Sequence, residues 1–133
     1  MRAAEVFEHS GGVLDVGDIE RVHDMRVATR RLRAALEVFE PCFPTKPHRK
    51  ALKRVKALAD ALGERRDADV EIEFLRSFLA GAPATDRRAI EGLIERLRED
   101  QREANEALAP YVERGRLKKL RRRLRKLVKA AKT

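Results

Sequence analysis

Residues 22–33 read Val22-His23-Asp24-Met25-Arg26-Val27-Ala28-Thr29-Arg30-Arg31-Leu32-Arg33. On a helix at about 100° per residue, one set of polar side chains falls within an arc of roughly 80°: His23, Arg26, Arg30 and Arg33. No acid interrupts this arc, and the apolar residues lie opposite it: Met25, Ala28, Leu32, Ala35, Leu36 and Phe39. Guanidinium groups suit bidentate contact with oxyanions. The stretch therefore predicts an amphipathic helix whose cationic face binds a polyanion.

The same stretch resembles the signature of the CHAD family (conserved histidine α-helical domain), with the match running from His23 to Arg33. A second stretch, Leu62-Gly63-Glu64-Arg65-Arg66-Asp67-Ala68-Asp69-Val70, is similar to the family's Leu-Gly-x-x-Arg-Asp-x-x-Val element. The resemblance implies an all-α fold and binding of inorganic polyphosphate through a basic channel. A typical member has two related helical halves with pseudo-two-fold symmetry. Only the N-terminal half is matched here, over about residues 18–132, with no second His-x-x-Arg motif.

Length and composition limit the classes of protein to consider. The 133 residues suffice for one domain, 1–133, with one core. Hydrophobic residues make up 43% and charged residues 40%, and the net charge is +9, which favours polyphosphate, nucleic acid or an anionic membrane as partner. The single Cys42 excludes an internal disulfide. Without a signal peptide or an apolar run of ~20 residues, we expect a soluble cytoplasmic protein, with polyphosphate granules as a candidate location.

Helix-start and helix-stop residues divide the first half of the chain. Residues 1–17 are expected to be a flexible lead-in, with a short helix over 1–10 and glycines after it. Asp18 is a candidate N-cap for the first long helix, which should end near Glu40 because prolines follow. A second helix is expected to start around Lys46 or Pro47.

The apolar phase of this second helix changes after Gly63. One face holds Ala51, Val55, Leu58, Ala59 and Leu62, whereas Val70, Phe74 and Phe78 would fall on another face of a continuous helix. Either the helix breaks at Gly63, or it continues and Arg66 is buried against Asp67 or a carboxylate of another helix. We favour the break. The segment should then end at residues 81–83, and Thr85 or Asp86 should cap the next helix.

The second half of the chain reads as two further helices. A heptad-like set predicts packing along another long helix: Ile90, Ile94, Leu97, Gln101, Ala104, Leu108 and Tyr111. Pro110 and Gly115 interrupt this set. Residues 116–133 form a strongly basic helix with no acid and one apolar side: Leu117, Leu120, Leu124, Leu127 and Val128. No strand pattern is present, so the fold class is all-α, an antiparallel helical bundle equivalent to half of a CHAD domain.

These patterns predict a polyphosphate-binding groove between the first long helix and the helix over 46–62. Its residues are His23, Arg26, Arg30, Arg31, Arg33, Arg49, Lys50, Lys53, Lys56 and Arg66. The lysine row would form the second wall of the groove, although it could also merely balance acids elsewhere, and Arg66 could instead pair with Asp67. We expect no metal, no cofactor and no catalytic residue. His23 has no His or Cys at metal-ligand spacing, Asp24 points about 100° away from it on a helix, and no phosphate-binding loop is present.

Several alternatives for function and assembly stay open. Because only half of the family's domain is matched, we expect a homodimer that rebuilds the symmetric arrangement, with a monomer as the alternative. The alternative function is nucleic-acid binding, which 5% aromatic residues and no tryptophan make less favourable. The basic helix 116–133 is interpreted as a bundle helix whose cationic outer face adds to the affinity for a polyanion, with a nucleic-acid-binding tail as the next alternative. A membrane-surface helix is disfavoured because no aromatic residue would anchor it.

Overall fold

The computed structural model describes residues 2–131. Five α-helices and one 3-10 turn follow one another: α1 (Arg2–Glu8), α2 (Ile19–Val38), the turn (Glu40–Cys42), α3 (Thr45–Ala80), α4 (Ala84–Val112) and α5 (Arg114–Lys129). Within residues 2–131 there is no strand, so the expected all-α class is confirmed. The same range contains no helix with both the length and the apolar run that crossing a bilayer requires.

The main core joins α1, α2, the first part of α3, α5 and one residue of α4. The predicted apolar face of α2 supplies Met25, Ala28, Leu32 and Leu36, to which the structure adds Val22, and α5 supplies Leu117, Leu120, Leu124 and Leu127. The exceptions are Phe39 and Val128, which are exposed because each lies beyond the contact surface of its helix. Burial of these side chains holds α2, α3 and α5 side by side, so that their cationic faces become neighbours.

Helix α3 is continuous over 36 residues, about 54 Å, so the predicted break at Gly63 is wrong. The apolar phase changes there because α3 changes its partner, not because the helix ends. Up to Leu62 it packs against α2 and α5, and beyond that point its buried residues are Arg65, Ala68, Asp69 and Ile72. Val70, Phe74 and Phe78, which suggested the break, are exposed.

Helices α3 and α4 form a long antiparallel hairpin. The predicted heptad residues Ile90, Ile94, Gln101 and Leu108 are buried in it, which confirms the packing of this helix along another long helix. Near the tip the hairpin core is small and contains Ile72, Ile90 and Ile94. Helix α4 begins at Ala84 after Pro83, so Thr85 and Asp86 lie within its first turn and neither is the N-cap. It continues through Pro110, which was expected to interrupt it, and ends at Val112.

The lead-in over residues 1–17, predicted to be flexible, is packed onto the bundle in its described part. Val6 and Val13 are 0% and 1% exposed because both enter the main core. Gly12 has φ +74°, a conformation that glycine adopts without strain. Asp18 is the N-cap residue of α2, as predicted, but its carboxylate accepts a hydrogen bond from Arg21 Nε at 2.9 Å and none from a backbone N–H of the first turn.

A buried ion pair fixes the lead-in to the hairpin. Arg65 Nε donates to Asp69 Oδ1 at 2.9 Å, and both side chains are fully buried. Arg65 Nη1 also donates to the carbonyl oxygen of Val13 at 3.0 Å and to Asn105 Oδ1 at 2.7 Å. Gln101 Nε2 donates to Asp69 Oδ1 at 2.7 Å. The alternative to a break at Gly63 was a continuous helix with Arg66 buried against a carboxylate. The helix is continuous, but the arginine buried against a carboxylate is Arg65.

Candidate functional site

Helices α2 and α3 enclose an open groove of about 510 Å³, here called the arginine groove. The side from α2 carries Arg26, Arg30 and Arg33, as predicted from the spacing on that helix. The side from α3 carries Ala59, Asp60, Gly63, Glu64 and Asp67. Three guanidinium groups thus face three carboxylates, and no lysine of the row expected as the second wall lines this groove. The α3 acids are spaced four and three residues apart, which aligns them on the edge of α3 that faces α2.

Two polar atoms on the helices that form this groove are buried without a hydrogen-bond partner among the described residues, His23 Nδ1 and Arg66 Nη1, although neither residue lines the groove itself. Arg26 Nε lies 3.8 Å from where a Cβ on Gly63 would be, so these two positions are opposite each other. One turn further along the antiparallel pair, His23 comes to the level of Arg66. Buried polar atoms are rarely left unpaired, and an oxyanion that reached them would supply acceptors.

The other cations predicted on α2 and α3 are not all directed into the arginine groove. Arg31 lies on the α1 side, with its Nη1 3.8 Å from Glu5 Oε2. Glu37 lies one turn beyond Arg33, accepts a hydrogen bond from Arg33 Nε at 3.2 Å, and is 4.0 Å from Lys56 Nζ. An acid, Glu37, therefore follows the cationic row of α2 on the same face. The row predicted from His23 to Arg33 itself contains no acid. Arg49 is exposed and lines neither this groove nor the surface described next.

Helices α3 and α5 form a larger cationic surface, here called the α3–α5 basic surface. Two adjoining hollows of about 480 and 430 Å³ lie on it, joined at Lys50 and Arg123. Its cations are Lys46, Lys50, Lys53, Arg54, Arg116, Lys119, Arg122, Arg123 and Lys126. No acid lines either hollow, and none of these cations forms an ion pair with a described residue.

One group of side chains has the composition of a metal site. Ligand atoms of Glu20, His23 and Asp24 lie within 4.8 Å of one another on the first turns of α2. The two carboxylates are exposed and His23 is half-buried. The sequence argument set Asp24 aside as pointing about 100° away from His23, whereas the structure brings its carboxylate into this group, and the argument overlooked Glu20, one turn earlier on the same face. Exposed groups of this kind are common on helices without a metal, and we assign no ion to them.

Comparison with known families identifies the family of the chain. The CHAD domain profile matches residues 2–133. The chain belongs to the CHAD family. The match includes α1 and the lead-in, which the motif resemblance from about residue 18 did not reach, and it agrees with the packing of that segment. CHAD domains are associated with the binding of polyphosphate. No curated protein and no solved structure matches this CHAD chain.

Sequence reasoning identified the cations of this CHAD chain but combined them incorrectly. It placed Lys50 and Lys53 opposite the α2 arginines, whereas the structure places both residues opposite α5. The signal that could have separated the two walls is the row Asp60, Glu64 and Asp67, which follows the lysines on the same helix. The absence of acids from residue 116 onward was the signal for the α5 wall.

Proposed function

We propose that this CHAD chain binds inorganic polyphosphate without catalysis, with the α3–α5 basic surface as the main contact and the arginine groove as an adjoining one. The observation that carries the proposal is the set of nine cations on that surface, with no acid among its lining residues and no ion pair to any of them. Like charges gathered without counter-charges repel one another, and a bound polyanion relieves that repulsion. The proposed function therefore follows from charge that the fold itself leaves uncompensated.

The two surfaces contribute in different ways. The arginine groove is formally neutral, so its long-range attraction for an anion is weak, but its three guanidinium groups can form directed hydrogen bonds to an oxyanion, and the polar atoms His23 Nδ1 and Arg66 Nη1 on the same two helices are unpaired. The α3–α5 basic surface supplies mostly field, since its nine cations have no counter-charge among the residues that line it and five of them are lysines, which act as mobile point charges. We infer that the α3–α5 basic surface determines affinity and that the arginine groove determines where the polymer is held.

Nucleic-acid binding is the second candidate because the same cations would neutralise its phosphates. Inorganic polyphosphate has no bases, and the α3–α5 basic surface contains a single aromatic ring, Tyr111, on which a base could stack. Phosphoryl transfer needs a divalent metal held by carboxylates next to the phosphates. Among residues 2–131 no carboxylate lines the α3–α5 basic surface, the proposed main contact, whereas Asp60, Glu64 and Asp67 line the arginine groove. The proposal of binding without reaction therefore rests on the main contact.

Competition for a fluorescent polyphosphate probe tests the proposed function. Long-chain polyphosphate, heparin, single-stranded DNA and single-stranded RNA are compared at equal phosphate or sulfate concentration and moderate salt. We expect polyphosphate to displace the probe at the lowest concentration. Displacement by RNA or DNA at an equal or lower concentration would replace the proposal by nucleic-acid binding. A cytoplasmic location, at polyphosphate granules, is part of the proposal and is tested by imaging a tagged chain with a polyphosphate stain.

We also propose that the chain forms a homodimer through the α3–α4 hairpin. Val70, Phe74 and Phe78 are 46%, 67% and 60% exposed, and the two phenylalanine rings stack with centroids 6.4 Å apart. They adjoin an apolar hollow of about 430 Å³ that includes Leu75 and Leu97. A two-helix hairpin with a three-residue core buries little apolar surface by itself. The hairpin of a second copy would complete a four-helix bundle.

Sedimentation velocity over a range of concentrations tests the dimer. We expect the wild type to sediment as a dimer and Phe74→Glu to sediment as a monomer with unchanged helicity. Phe39→Glu is the matched control, because Phe39 is 56% exposed but lies at the end of α2, away from the hairpin. A wild-type chain that is monomeric at high micromolar concentration would exclude the dimer.

A further inference from the structure

The hollow of about 430 Å³ on the α3–α5 basic surface has an apolar floor. Its floor consists of Ala57, Leu58 and Leu120, and Tyr111 stands at its side. Leu58 and Leu120 are 2% and 6% exposed, so they present only small apolar areas to a ligand. The cations lie around the rim of this floor. The hollow therefore combines an apolar floor with cationic side chains.

The Arg116 guanidinium lies over the Tyr111 ring beside this floor. Arg116 Cζ lies 5.2 Å from the centroid of the Tyr111 ring, a cation–π contact. Tyr111 is half-buried against the main core, which holds the ring in place. Nucleobases stack on aromatic rings and on guanidinium planes alike. The Tyr111–Arg116 pair is thus a surface that a planar heterocycle can cover.

Inorganic polyphosphate uses only half of this hollow. It has no apolar surface, so it gains nothing from Leu58, Leu120 or Tyr111, and its charges are satisfied at the rim. A ligand that joins a flat, weakly polar body to a chain of phosphates matches both parts. The volume is within the range of about 300–1,000 Å³ that is usual for small-molecule sites.

We propose that this hollow binds a nucleoside polyphosphate, with the base against Tyr111 and Arg116 and the phosphates at Lys50 and Arg123. This inference goes beyond the proposed function, since a polymer site needs the cations alone. Lys50 and Arg123 also line the neighbouring hollow, so a bound nucleotide and bound polyphosphate share cations. The two ligands therefore compete.

Calorimetric titration with adenosine triphosphate and with inorganic tripolyphosphate, in metal-free buffer at moderate salt, tests the proposal. Both ligands have three phosphates, and tripolyphosphate carries the higher negative charge, so charge alone makes it the tighter ligand. We expect the nucleotide to bind about tenfold more tightly, the effect of stacking one base. Equal binding, or tighter binding of tripolyphosphate, overturns the proposal.

Two variants locate the effect. Tyr111→Leu should weaken the nucleotide about tenfold and leave tripolyphosphate unchanged, and Ala57→Leu, which fills the floor, should do the same. Phe39→Leu, which removes an exposed aromatic ring elsewhere, should change neither ligand. If Tyr111→Leu and Ala57→Leu weaken the two ligands equally, or weaken neither, the base does not lie in this hollow. Long-chain polyphosphate is titrated in parallel, so that loss of the nucleotide site with retained polymer binding leaves the proposed function intact.

Discussion

Two triple variants separate the contributions of the two cationic surfaces to polyphosphate binding. The first is Lys50→Ala/Lys119→Ala/Arg123→Ala on the α3–α5 basic surface, and the second is Arg26→Ala/Arg30→Ala/Arg33→Ala in the arginine groove. Each lowers the net charge from +9 to +6, so the long-range field of the whole chain falls equally in both. Any difference in affinity then reports the local environment of the three cations.

The expected magnitude follows from counterion release. If each unpaired cation neutralises one phosphate, binding falls by about 0.7 log units per tenfold rise in salt for each contact. Removing three such cations lowers the salt slope by about 2 and weakens binding about 100-fold at 0.1 M salt. The α2 arginines face Asp60, Glu64 and Asp67, so their removal should have a several-fold effect and little influence on the slope.

Calorimetric titration of long-chain polyphosphate at four salt concentrations measures both quantities. Circular dichroism and thermal melting show that the variants are folded. The first variant relieves repulsion among cations and should melt at or above the wild-type temperature. The second removes the cations that face three carboxylates and the Arg33 partner of Glu37, and should melt lower. An equal or larger loss of affinity in the second variant would refute the assignment and place the polymer in the arginine groove.

Three further predictions concern stability, and chemical or thermal denaturation checks each of them. Gly63→Ala should stabilise the chain by about 0.5–1 kcal/mol, because α3 is continuous there and the new Cβ meets only Arg26 at 3.8 Å; a loss of stability would contradict the continuous helix. Gly12→Ala should destabilise it by about 1 kcal/mol or more, since φ is +74° and the Cβ would lie 2.9 Å from Arg21 Cδ; a neutral effect would show that the turn relaxes. Asp69→Ala should cost about 3–5 kcal/mol because it leaves the Arg65 guanidinium buried without its counter-charge, and Arg65→Leu/Asp69→Leu should cost less than that single change. A double variant as unstable as Asp69→Ala would argue against this cause.

The helical class and the apolar faces could be predicted from the sequence because period 3.6 is a local property. The buried leucines of α5 and the buried face of α2 are where the pattern placed them. The break at Gly63 was wrong because glycine costs a helix only about 1 kcal/mol, less than the packing of α3 against α4 supplies. Phe74 and Phe78 added to the error, since an exposed apolar stripe and a buried one have the same spacing.

The candidate site was less predictable than the fold, because it depends on which faces meet. Spacing placed Arg26, Arg30 and Arg33 on one side of α2, and the structure agrees. Spacing could not decide whether Lys50 faces α2 or α5, because that depends on how α3 is rotated about its axis. In the structure Lys50 faces α5. The buried pair of Arg65 and Asp69 was missed for the same reason: its other partners are 32 to 52 residues away.

The partners of Arg65 also determine when the fold can be completed. Asn105 and the carbonyl oxygen of Val13 are 40 and 52 residues from it along the chain, on either side. The guanidinium therefore has its full set of acceptors only when the lead-in, α3 and α4 are packed together. The lead-in acts as a latch on this hairpin. A shortened chain beginning at α2, the boundary that the first motif suggests, would leave this latch open and water would enter beside the ion pair.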